Sequence, residues 1–198
     1  MKEVFLINSV KFITKYNKNY SEDDLDKIKY GLEGLYLTFT KLVIIALISL
    51  ILGIFKEVVL VLIFLNIIRY PAFGVHADKS ITCLITSILT IVGMTFIIIN
   101  TPINVLSKSI ISFLCFIDYL LFAPADTVKR PLTNVKKRKY RKIASCILSI
   151  IYIILIFIIK DELISNIILT ALIIEAFMIN PYIYKLLGMP YNNYKKIV

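Results

Sequence analysis

Six apolar stretches, residues 35–55, 58–68, 81–99, 105–123, 143–159 and 163–179, leave this chain little choice of fold. A helix needs roughly 20 apolar residues to cross a hydrocarbon core ~30 Å thick. Four stretches meet or approach that length, and 163–179 borrows flanking residues, as 143–159 also does. The 11 residues of 58–68 rise only ~16 Å as helix, so a complete crossing must take in 54–56 and 69–73. With 59% hydrophobic residues the chain exceeds the ~45–50% of soluble domains. No alternating pattern with a polar lumen face is present, which leaves helices as the spanning element. The predicted fold class is an all-α integral membrane protein of six transmembrane helices, led by N-terminal amphipathic helices.

The net charge of +10 suggests nucleic acid at first, but its distribution argues for topology instead. With both termini cytoplasmic, inner segments hold 19 of the 23 Lys and Arg: six before Leu35, two in 69–80, eight in 129–142 and three after Ile179. The outer turns hold Lys56, Lys108 and Lys160, and Lys41 falls inside the first span. This is the positive-inside pattern of an even number of spans. A multi-pass protein of the cell membrane is expected, with membrane lipids among its partners and no nucleic acid.

Residues 1–20 set Val4, Phe5, Ile7, Val10, Phe12 and Ile13 against Lys11, Lys15 and Lys18, which suits a short helix at the cytoplasmic headgroups or one packed on the protein. Ser21-Glu22-Asp23-Asp24 resembles a capping box, with Leu25, Ile28, Leu32 and Leu35 at helical spacing behind it. One membrane domain is predicted over 1–198: interfacial helices at 1–34, a six-helix bundle at 35–184 and a cytoplasmic tail at 185–198. Acid and Asn interrupt the first apolar run and no small-residue cleavage site follows, so no removable signal peptide is expected.

Charged side chains within spans are costly and call for partners. Lys41, Asp118 and Glu175, with Arg69 at a span end, all fall in the inner leaflet. Either Lys41 or Arg69 pairs with Asp118 or Glu175 to hold the bundle, or these groups line a water-accessible cytoplasmic pocket. The basic run Lys129, Arg130, Lys136, Lys137, Arg138, Lys139, Arg141 and Lys142 reads as a loop after the fourth span. It serves either as a topological anchor touching anionic lipid or as a binding surface for an acidic peptide.

The stretch RYPAFGVHADKSITC, 69–83, holds the only histidine, His76, seven residues ahead of Cys83. Cys115 and Cys146 lie in apolar spans and read as small buried hydrophobes. One histidine and three scattered thiols give no metal-ligand spacing, so neither a metal nor another cofactor is expected. In one continuous helix His76 and Cys83 would stand ~10.5 Å apart along the axis, too far for proton transfer. Pro71 and Gly74 predict instead that the helix ends and the chain turns. Ser80 is then a natural N-cap and Cys83 falls in the first turn of the third span, where partial positive charge favours a thiolate and exposed N–H groups can bind an oxyanion. His76, folded back, is placed to act as base and then as acid. Asp78 either orients the imidazole or caps the helix. By spacing alone one Cys/His pair is thin support for catalysis.

This stretch, with Arg69, Gly74, His76, Ala77 and Cys83 at their spacings, resembles the signature of the AgrB family, membrane cysteine endopeptidases of bacterial quorum sensing. Ala123-Pro124, Asp126-Thr127 and Pro131-Leu132 resemble that family's loop motif after the fourth span. The family often has Gly-Gly where this chain has Phe73-Gly74. The resemblance implies a precursor peptide substrate with an amphipathic leader, a central Cys or Ser and an acidic tail. It implies that Cys83 attacks the bond before the tail at the cytoplasmic side, and that the substrate's own side chain resolves the thioester into a cyclic thiolactone or lactone. It also implies a homodimer. Supporting roles then fall to Arg69, Gly74, Asp78 and Ser80, and Lys129, Arg130, Lys136, Lys137, Arg138 and Lys139 would hold the acidic tail. The rival readings are a small transporter using Lys41, Asp118 and Glu175, and a scaffold that binds a peptide without cutting it.

Overall fold

The computed structural model describes residues 2–16, 20–75, 77, 80–128 and 131–196. They form an all-helical chain: α1 (Lys2–Tyr16), α2 (Glu22–Ile51), α3 (Phe55–Ala72), α4 (Ser80–Ser87), a π-helical turn (Ile88–Gly93), α5 (Met94–Asn100), α6 (Val105–Phe122), α7 (Val135–Ile158), α8 (Glu162–Ile179) and α9 (Pro181–Leu186), with a closing 3₁₀ turn (Asn193–Lys196). Two compact units emerge, Met1–Ile48 and Ser49–Val198.

In the first unit the capping box forms as the sequence predicts. The Asp24 N–H donates to Ser21 Oγ at 3.2 Å, and the Ser21 N–H donates to the Asp24 carboxylate at 3.3 Å. The helix that follows does not break at Gly31 or Gly34. The predicted amphipathic helix and the first span are one 30-residue helix, α2. Phe5 meets Tyr36 with ring centroids 5.3 Å apart and Lys2 pairs with Glu33 at 2.6 Å, so α1 packs on α2.

The second unit is built around α8. Apolar on nearly every side, α8 buries residues all round its circumference, as such helices do. Helices α3, α5, α6 and α7 surround it. Asn104, Asp161 and Asn180 cap α6, α8 and α9, each accepting a backbone N–H in the first turn. The outward faces of α6 and α7 are apolar and exposed, with Leu106, Phe113, Ile147 and Ile154 among them, as befits surfaces in contact with lipid.

Among the described residues five helical stretches are long and apolar enough to cross a membrane: 23–51, 80–100, 105–122, 135–158 and 162–179. The second predicted span, 58–68, corresponds to α3, whose 18 residues rise ~27 Å. Of the flanking residues expected it takes in 55–56 and 69–72 but not Ile54 or Phe73, and with them come Lys56, Glu57 and Arg69. Two local expectations are corrected. The run from Lys136 to Lys142 is not loop but the first two turns of α7, begun by Asn134, whose side chain accepts from the Lys137 N–H at 3.1 Å. Lys108, assigned to an outer turn, is buried on α6 and donates to Ser165 Oγ at 3.0 Å.

Candidate functional site

The 69–83 stretch is not one helix. α3 runs through Pro71 and ends at Ala72, and α4 starts at Ser80. Between them Phe73 adopts φ 65°, ψ −132° and Gly74 φ 130°. Both lie in backbone regions that L side chains rarely enter. Phe73 therefore occupies a glycine-like conformation at the position where the resemblance leads one to expect a first glycine.

Backbone hydrogen bonds pin this turn on two sides. The Gly74 N–H donates to the Ala125 carbonyl at 3.0 Å and the Ala125 N–H to the Ala72 carbonyl at 2.9 Å, making a parallel bridge between Phe73 and Ala125. The Val75 N–H donates to the Met178 carbonyl at 2.8 Å, one of the acceptors freed as α8 ends. Ala72, Gly74 and Val75 are buried. Irregular backbone within a membrane protein is tolerated where protein covers it and supplies partners, as here. The turn thus joins the two sequence motifs, 69–83 and 123–132, which the sequence alone does not bring together.

Close approach requires glycine at 74. A Cβ there would stand 3.2 Å from Glu175 Oε1, 3.2 Å from Met178 Cβ and 3.4 Å from the Met178 carbonyl oxygen. Glu175, fully buried on α8, faces Arg69 with Oε2 4.0 Å from Nε. Among the described residues neither Glu175 oxygen accepts a hydrogen bond, so the guanidinium charge is its compensation. Arg69 Nη2 in turn donates to the Val75 carbonyl at 3.0 Å. Of the pairings left open by the sequence, Arg69 with Glu175 is realised. Asp118 instead accepts from Asn180 Nδ2 at 3.4 Å. Lys41 belongs to the first unit.

The loop that clasps the turn is itself held from the C-terminal segment. The buried Asp126 carboxylate accepts the N–H groups of Leu132 (3.2 Å), Asn193 (3.1 Å) and Tyr194 (2.8 Å). Tyr184 Oη donates to the carbonyls of Ala125 and Asp126 at 3.0 and 3.1 Å. Burial first, then the nearby Asp126, holds this phenol well above its usual range, so it stays a donor. Residues 180–198 are basic and rich in tyrosine. Their role as the clamp on the 123–132 loop was signalled only by their density of tyrosines.

Part of the basic run is structural. Arg141 lies over the rings of Phe73 (4.6 Å) and Tyr70 (4.9 Å) and donates to the Tyr70 carbonyl. Arg138 stacks on Tyr194 at 3.6 Å, and Lys142 donates to the Leu120 carbonyl. Lys136, Lys137 and Lys139 are exposed.

Cys83 is the fourth residue of α4, partly buried and in no disulfide. Ser80, expected as the N-cap, is the first helical residue of α4. His76, Asp78, Lys129 and Arg130 lie outside the described residues. The geometry therefore brings Arg69, Gly74 and Glu175 together with the 123–132 loop, and sets Cys83 in the opening turn of the next helix. Such a thiol has helix N–H groups beside it, which suits nucleophilic attack with oxyanion stabilisation.

Comparison with known proteins agrees with the two motifs. The family model described as accessory gene regulator B, AgrB, matches residues 8–179. An AgrB-like protein of Clostridium acetobutylicum is 32% identical over 186 residues, covering 91% of this chain and 87% of its own. One of Listeria innocua is 33% identical over 186 residues, covering 93% and 90%. The accessory gene regulator protein B of Staphylococcus aureus is 32% identical over 144 residues, covering 71% and 77%. No solved structure matches the chain. The chain belongs to the AgrB family, and with it to the accessory gene regulators of quorum sensing.

Proposed function

We propose that this protein is a membrane-embedded cysteine endopeptidase that removes the C-terminal tail of a signal-peptide precursor and promotes its cyclisation. The observation that carries the reading is the break between α3 and α4, which puts Cys83 at the opening of a new helix. Cys83 loses its proton to His76 and its sulfur attacks the carbonyl carbon of the bond before the tail. The tetrahedral oxyanion forms beside the N–H groups opening α4. As it collapses the C–N bond breaks, and His76 returns the proton to the departing amine. The precursor remains as a thioester on Cys83. Its internal thiol or hydroxyl then attacks that carbonyl, closing the ring and restoring the Cys83 thiol. Proximity favours ring closure over water in a site sheltered by helices and lipid.

In this reading the chain crosses the membrane six times, α3 being the second crossing, with both termini and the catalytic residues at the cytoplasmic side. The charges of α3 stand in its first and last turns, which suits a crossing. The exposed Lys136, Lys137 and Lys139, with Lys129 and Arg130 before them, hold the acidic tail. The test is purified protein in liposomes with a precursor peptide encoded beside its gene. Cleavage is expected from the native protein and not from Cys83→Ala, which still binds the precursor. Equal cleavage by Cys83→Ala refutes the cysteine mechanism and favours a binding or transport role.

A further inference from the structure

An open groove of about 710 Å³ lies where α6 ends, α7 begins and residues 191–194 pass over both. It contains Arg138, Lys139 and Lys142, and among the described residues no carboxylate lines it. Arg138 is fixed flat against Tyr194, and its Nη1 is buried with no acceptor among the described residues. A buried guanidinium N–H without a partner carries a desolvation cost that an anionic acceptor would offset. The opposite wall is apolar. Leu121 and Ile143 are 62% and 50% exposed, and they continue into the outward faces of α6 and α7.

We propose that this groove is a binding site for an anionic phospholipid, with Arg138 and Lys142 holding its phosphodiester and Leu121 and Ile143 lying along the first carbons of an acyl chain. The wall chemistry selects this class. The groove offers fixed cations with no competing acid among its described lining residues, and its Leu121 and Ile143 are exposed on the apolar faces of α6 and α7, so the fitting ligand is an anion joined to hydrocarbon. Arg138 supplies planar paired donors suited to a phosphate, and its stacking removes the ordering cost of binding. Lys142 spends one ammonium proton on the Leu120 carbonyl and retains two. An acidic peptide has no use for the apolar wall, and the exposed Lys136 and Lys137 lie outside the groove.

Apart from Lys139, the groove residues take no part in the proposed peptidase chemistry, so the site is tested on the full-length protein without a precursor. The protein in neutral detergent is titrated with phosphatidylglycerol, phosphatidylcholine, inorganic phosphate or a Glu-rich peptide. Bound lipid is counted by native mass spectrometry and stabilisation read from the thermal midpoint. Phosphatidylglycerol should be retained as one copy and raise the midpoint. The paired substitution Arg138→Gln and Lys142→Gln should weaken it by about tenfold or more, while Lys136→Gln with Lys137→Gln changes it less than about twofold. Leu121→Trp fills the groove with its cations intact and should abolish retention too, which decides the matter if the charge variant fails to fold. Equal retention of phosphatidylcholine, or indifference to both groove variants, overturns the proposal. So does Arg138-dependent binding of phosphate alone or of the peptide in preference to lipid.

Discussion

Gly74→Ala tests the architecture of the α3–α4 turn at its tightest point. At φ 130° an L side chain is strained whatever space it has, at a cost of about 1 to 3 kcal/mol. The new Cβ also meets Glu175 Oε1 and Met178 Cβ at 3.2 Å and the Met178 carbonyl at 3.4 Å. The carboxylate can swing, but Met178 Cβ and its carbonyl are fixed to the end of α8, and the Val75 N–H is bonded to that same carbonyl. Forcing them apart adds about 1 to 3 kcal/mol. The combined expectation is a loss of about 2 to 6 kcal/mol in reversible unfolding in mixed micelles, together with loss of precursor cleavage. Gly31→Ala is the control, since nothing lies within 4 Å of its Cβ position, and on a helix interior it should stabilise by up to about 1 kcal/mol. A Gly74→Ala protein within about 0.5 kcal/mol of the native one would refute the packing described for this turn.

The Arg69–Glu175 pair predicts a particular pattern of coupling in the same unfolding assay. Arg69→Met alone should cost about 3 to 5 kcal/mol by stranding the buried Glu175, Glu175→Leu should cost less because Arg69 is partly exposed and keeps its bond to the Val75 carbonyl, and the double variant should be more stable than Arg69→Met. Additive losses would contradict the pairing. At Phe73, truncation to Ala keeps the positive φ and loses the ring under Arg141, whereas Gly relieves the strain. Phe73→Gly should therefore be the more stable of the two, by about 1 to 3 kcal/mol, and the reverse order would contradict the strain assigned to the positive φ at this position. Asp126→Ala should cost about 3 kcal/mol by removing the acceptor of three N–H groups. Limited proteolysis should then cut the segment after Gly188 faster; an unchanged rate would mean that the tail is held elsewhere.

The helical class and the main apolar spans were legible because a run of apolar residues near bilayer length has few other uses. The turn after Pro71 was legible too, from proline and glycine placed close together. The centrality of α8 was not, since an apolar span looks the same whether it faces lipid or protein; Asn166, Thr170 and Glu175 within it were the available hint. Nor did the sequence separate the cations of 136–142, whose fates depend on which way each helical position turns. Arg138 and Arg141 stack on aromatic rings brought from distant segments, while Lys136 and Lys137 stay in solvent. Glu175 was recognised as needing a partner, but choosing Arg69 over Lys41 required the packing of α3 against α8.

The central claim is that Cys83 is the nucleophile, and the most direct measurement is the mass of the enzyme caught in mid-reaction. Native protein in liposomes, mixed with precursor whose internal Cys or Ser is replaced by Ala, cannot complete the ring. After rapid acid quench it should carry a thioester adduct on Cys83 equal in mass to the precursor without its tail and less one water. Hydroxylamine should release that adduct, and Cys83→Ala should lack it. Cleavage of the same precursor with no adduct, or with one on Cys115 or Cys146, would contradict the account.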